Sequence, residues 1–169
     1  MSAMPSRDAP SGNSPSESWP SVAELAAEED ELQFASFTND HAWELGTAMV
    51  AAARRAGAAV AIDISRNHHP LFHVALAGAT PDNDTWIARK RRVVNRFGHS
   101  TLHMRQVFVE RGTTFEEQLG LDPQRYAAHG GGFPVIVRSV GQVGVVVVSG
   151  LPQLEDHRMV VAALRAQLG

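Results

Sequence analysis

Asp156 and His157 stand side by side just beyond Ser149-Gly-Leu-Pro, where a helix should begin. A helix N-terminus favours a carboxylate, and an imidazole there can take or give a proton near neutral pH. The pair is the candidate acid/base couple, with His157 oriented by Asp156, and a plain helix cap is the competing reading. A second group precedes it at His129-Gly130-Gly131-Gly132-Phe133-Pro134. Three consecutive glycines strip every Cβ from one bend, so another group can approach the backbone closely. Its N–H groups could hold a carboxylate or phosphate, or the bend could be a tight loop and nothing more. No G-x-G-x-x-G opens a helix after a strand here, so it is not a dinucleotide fingerprint.

The third group is cationic. Arg89, Arg92 and Arg96 are three and seven residues apart and share one helical face, while Lys90 and Arg91 point elsewhere. A row of guanidinium forks suits carboxylates or phosphates; a solvated face paired with the acids of 24–31 is the alternative. The histidines form the fourth group. His99 and His103 are four apart, a spacing that can place two imidazoles on one metal, but the Glu of H-E-x-x-H is missing and spacing supplies no third ligand. His69 and His73 share a strand face in the same way. No metal is assigned to either pair. Ser149 lies in Val-Val-Ser-Gly-Leu-Pro, which is not a nucleophile elbow. Asp63 interrupts an apolar strand and is either an exposed edge residue or a buried acid near the arginines.

The elements that must position these groups follow from hydrophobic period and turn chemistry. Residues 1–20 are rich in Ser, Pro and Gly and are expected to be a disordered tail, leaving 21–169 as one domain. Ser21 and Glu24 make a capping box for a short acidic helix over about 22–30. Gln33–Phe37 alternates and reads as an edge strand. Ala42, Leu45, Met49, Ala52 and Ala53 mark a helix closed by Gly57. A hairpin follows, Ala58–Ser65 and Leu71–Ala77 about a turn at 66–70. A long basic helix starts near Asp82, with Trp86, Val93, Val94 and Phe97 on its buried side. Gly98-His99-Ser100 separates it from a helix over Thr101–Glu110. After the glycine bend come two strands, then a closing helix over about 153–167. The order helix, two strands, helices, two strands, helix indicates an α+β domain on an antiparallel sheet. The unalternating run Val145–Val148 fits a strand covered on both faces.

Composition narrows the functions. At 169 residues, 44% hydrophobic and 20% charged, the chain can bury a real core. A net charge of −3 argues against a general nucleic-acid binder. With no cysteine, disulfides, thiolate nucleophiles and Cys-held metals are excluded. No apolar run approaches the roughly 18 residues of a membrane span, and the first residues do not read as a secretory signal. The cytoplasm is the expected location.

Three stretches together resemble one family: Trp86-Ile-Ala-Arg-Lys-Arg-Arg-Val-Val-x-Arg-Phe, His129-Gly-Gly-Gly-Phe-Pro, and Val148-Ser-Gly-Leu-Pro-Gln-x-Glu-Asp-His. They are similar to the haem-degrading-domain family, relatives of glycolate-operon protein G and of haem-binding sensor proteins, in its cytoplasmic branch. The resemblance covers about residues 30–168. It implies a five-stranded antiparallel sheet flanked by helices, assembly into a homo-oligomer, and a haem or small anionic ligand. No iron-ligating residue carries over by position. The expected ligand-binding set is Arg89, Lys90, Arg92, His129, Gly130, Gly131, Gly132, Phe133 and Ser149, in a pocket between the Gly130–Gly132 bend and the Arg89–Arg96 helix. His157 and Asp156 remain the catalytic candidates, for an enzyme on a small carboxylated metabolite. A structural oligomer without catalysis is the third reading.

Overall fold

Two capping boxes at the start of the ordered chain show how local chemistry sets the frame in the computed structural model, which describes residues 18–169. Ser21 Oγ accepts from Glu24 N–H, and Glu24 accepts from Ser21 N–H, opening α1 (Val22–Glu31). Thr38 and His41 exchange the same pair of bonds at the start of α2 (Asn39–Arg55). Between them lies β1 (Gln33–Phe34), and beyond them the hairpin β2 (Ala61–Arg66) and β3 (His69–Ala75). Then come α3 (Pro81–Phe97), α4 (Thr101–Glu110), α5 (Phe115–Leu119), β4 (Gly132–Val137), β5 (Gly141–Ser149) and α6 (Gln153–Leu168). The expected disordered tail falls mostly outside the described residues. Of its last three, Trp19 packs on Leu25, Leu102 and Leu154, and Pro20 O accepts from Gln106.

The five strands lie in the order β1-β4-β5-β2-β3. Three pairings are antiparallel, as expected, but β1 runs parallel to β4, with Gln33 opposite Ile136 and Phe34 opposite Val137. Two residues at a sheet edge need only a short ladder, and the long excursion between β1 and β4 leaves the direction of pairing open. Central β5 is covered on both faces, as its sequence indicated. Val146 and Val148 join Ile62, Ile64, Phe133 and Val135 beneath α2 and α6, with Leu45, Met49, Val160 and Leu164. Val145 and Val147 face α3 with Ala61, Ile87 and Val94. A third cluster, Val93, Met104, Phe108, Phe115 and Ala128, ties α3 to α4 and α5.

The corner between α3 and α4 is fixed at both ends. Gly98 takes a left-handed φ of 72° and its N–H bonds Val94 O, ending α3. Ser100 then caps α4 through His103 N–H. His99 is held between these two fixed points, one turn from His103.

Candidate functional site

Lys90 enters the centre of the domain rather than joining a charged surface. It leaves α3 on the sheet side and is 1% exposed. Its Nζ donates to Val148 O at 3.0 Å and to Asp156 Oδ2 at 3.1 Å. Asp156, fully buried, also accepts from Gly150 N–H at 3.3 Å and from Leu151 N–H at 3.0 Å. A buried ion pair with extra donors on the carboxylate is the arrangement that low-dielectric surroundings require.

The glycine bend wraps this pair, and that explains its composition. A Cβ on Gly131 (φ 128°) would lie 2.4 Å from Val148 O and 3.0 Å from Lys90 Nζ. One on Gly130 would meet Gln153 O at 2.2 Å, and one on Gly132 would meet Thr101 at 2.8 Å. Gly130 N–H is taken by Gln153 Oε1 and Gly132 N–H by Thr101 Oγ1. The bend and the basic helix are therefore neighbours, as expected, but the pocket expected between them is filled by Lys90, Val94 and Thr101. Close packing, not anion capture, uses the missing side chains. Phe133 and Ser149 are also fully buried, Ser149 accepting from Asn83.

His157 is likewise drawn inward. It is 2% exposed, and its Nε2 pairs with Glu28 of α1 at 2.8 Å. Among the described residues its buried Nδ1 has no hydrogen-bond partner. Its edge lines a groove of about 410 Å³ between α1 and α6, together with Trp19, Glu24, Glu28 and Arg165.

The arginines do share a face, and the loop after α5 lies against it. Arg89 donates to Pro123 O at 2.7 Å and stacks 4.2 Å from the Trp86 ring. Arg92 donates to Arg125 O and Arg96 to Tyr126 Oη. Arg91 turns to the buried carboxylate of Asp63 at 3.2 Å, which also pairs with His73 at 2.9 Å. Three acids of α1 turn elsewhere: Glu28 meets His157, Glu29 meets His99 and His103, and Glu31 meets Arg165. What remains is a groove of about 410 Å³ walled by Arg91, Arg92, Arg96, Arg125 and Tyr126, with His68 at its edge. Such a lining favours anions.

His129 sits at the end of the same helix face, its ring 5.0 Å from Trp86. Burial, followed by the charges of Arg105, Lys90 and Arg89, pushes its pKa down to about 4. The imidazole is thus neutral near pH 7, with a lone pair among cations.

One grouping was only half legible in the sequence. His99 and His103 converge, ring centroids 4.2 Å apart, on a third residue from α1. Glu29 Oε2 accepts from His99 Nδ1 at 2.7 Å, and Oε1 from His103 Nδ1 at 3.0 Å and Ser100 N–H at 2.7 Å. Burial raises the Glu29 pKa, but the bonds from His103, His99 and Ser100 outweigh it and hold the carboxyl below its ordinary value. A signal existed: Leu25, Glu29 and Leu32 follow helical spacing, so Glu29 occupies a core position on the apolar face of α1.

Comparison with known proteins agrees with this architecture. A UPF0303 protein of Streptomyces coelicolor is 58% identical over 150 residues, which is 89% of this chain and 95% of that protein. The crystal structure of Ybr137w protein superposes with a TM-score of 0.78 at 37% identity, over 86% of each chain. The PduOC:haem complex shares the fold at TM-score 0.60 and 21% identity, over 79% of this chain and 94% of that one. The family model described as "Haem degrading protein HbpS-like" matches residues 37–165. With most of its length matched in this way, the chain belongs to the HbpS-like family.

Proposed function

We propose that the protein binds a small anionic ligand, with haem the leading candidate, on the face where Trp86, Arg89, Arg105 and His129 meet. The observation that carries this reading is the half-buried His129 ring 5.0 Å from Trp86, whose other neighbour is the Arg89 guanidinium at 4.2 Å. The neutral ring is the form that ligates a transition metal, and the surrounding cations suit carboxylates such as propionates. Trp86, already stacked on Arg89, offers an aromatic edge to a flat ligand. When bound, haem would supply an iron centre whose behaviour its axial ligand and surroundings tune. The family description and a structural relative solved as a haem complex support the choice of ligand. On this reading the Gly130–Gly132 bend, Lys90 and Asp156 hold His129 in place without touching the ligand.

The test is titration of the untagged protein with haemin, followed at the Soret band. Wild type should give a saturable shift. His129→Ala should change the band position and weaken binding, Arg89→Ala should weaken it without changing the position, and His69→Ala, an exposed control, should do neither. Identical spectra and affinity in wild type and His129→Ala would overturn the assignment.

A further inference from the structure

We propose that Glu29, His99 and His103 form a binding site for a divalent transition-metal ion, separate from the His129 face. One donor atom from each residue lies within 4.8 Å of the other two. Two imidazoles and one carboxylate are a donor set for zinc and its neighbours in the first transition row. For metal–ligand bonds of about 2.0–2.2 Å, tetrahedral or octahedral angles separate neighbouring donors by roughly 3 Å. The Glu29 Oε2–His99 Nδ1 separation, 2.7 Å, is already near that value, and His103 Nδ1 stands 3.0 Å from the other oxygen of the same carboxylate.

The surroundings are those of a built site. Glu29 and His103 are both buried, so neither has a swarm of alternative solvent geometries. Ser100 N–H fixes Glu29 Oε1, which leaves Oε2 as the oxygen to present to a cation. Gly98 and the Ser100 cap fix the backbone on either side of His99. The His99 side chain is 46% exposed, so an ion has a path in and a coordination position remains for water. Three protein donors with one open position is the arrangement of zinc sites that bind a further ligand rather than purely structural ones. Ligation through Nδ1 requires each ring proton to sit on Nε2, and the imidazole–carboxylate hydrogen bonds give way to bonds with the ion.

Untagged, chelator-stripped full-length protein would be titrated with Co²⁺ as a spectroscopic probe and then with Zn²⁺ in competition. The expected result is one Co²⁺ per chain, with ligand-field bands lost as Zn²⁺ displaces it. Loss of a ligand in His99→Ala or His103→Ala should weaken binding at least about tenfold, and His69→Ala should leave it unchanged. His99→Ala removes a half-exposed ring, so its metal-free circular dichroism should match wild type while its thermal midpoint falls with the lost bond to Glu29. Zn²⁺ should raise the midpoint of wild type but not of that variant. Absence of saturable Co²⁺ binding, or equal affinity in His99→Ala, would overturn the site and leave the cluster as a hydrogen-bonded clamp on Glu29.

Discussion

Replacing Lys90 with methionine tests whether the ion pair under the glycine bend holds this region together. The substitution keeps an unbranched chain of similar reach in α3 and removes the ammonium that contacts Val148 O and Asp156. Asp156, fully buried, keeps the N–H groups of Gly150 and Leu151 but loses the charge of Lys90. Removing one partner of such a pair costs about 3–5 kcal/mol, because the remaining charge is left uncompensated. Asp156→Leu should cost a similar amount by stranding Lys90 and two backbone donors. In the double variant Lys90→Met/Asp156→Leu neither buried charge remains, and only the polar backbone groups lose partners, at about 1–3 kcal/mol each. The double variant should therefore be more stable than the sum of the singles predicts, by about 2–3 kcal/mol. Urea unfolding followed by circular dichroism near neutral pH measures all four proteins, with stability taken from midpoint and slope. A Lys90→Met cost below about 1 kcal/mol, or additivity within about 0.5 kcal/mol, would refute the coupling.

Two more outcomes concern single residues. Because the folded pKa of His129 is depressed from 6.5 to about 4, its contribution is fully present above 6.5 and is lost as pH falls through that window. The loss should reach about 2–3 kcal/mol, allowing for the ring's partial exposure, and His129→Leu should flatten the fall in urea stability between neutral and mildly acidic buffer. An unchanged slope in the variant would reject the burial argument. Gly131→Ala should cost at least about 2–4 kcal/mol, since its Cβ would lie 2.4 Å from Val148 O. Gly57→Ala, also at positive φ (63°) but with nothing within 4 Å, should cost only about 1–2 kcal/mol. Equal thermal shifts in the two would argue that the bend is free to yield.

Local signals were readable wherever the cause was local. The Ser21–Glu24 capping box, Gly98 after α3 and the doubly covered Val145–Val148 run all stand where residue order put them. These depend on neighbours within a few residues, or on hydrophobicity that no tertiary arrangement could leave exposed. Helical phase likewise separates Lys90 from the arginine face, but it does not fix what Lys90 meets. Direction was harder: β1 is too short for its own pattern to choose between parallel and antiparallel partners.

By itself, the amino-acid sequence determined the α+β class, the two hairpins, the arginine stripe and the four-residue spacing of His99 and His103. Tertiary structure alone decided that the glycine bend closes over Lys90 and Asp156, 66 positions apart, instead of opening to a ligand. It also decided that Glu29 reaches His103 across 74 positions while its acidic neighbours Glu28 and Glu31 turn to His157 and Arg165. The physical reason is common to both. A buried charge is tolerable only beside a partner, and which partner is near is set by how α1, α3, α4 and α6 pack, a fact that no spacing along one helix contains.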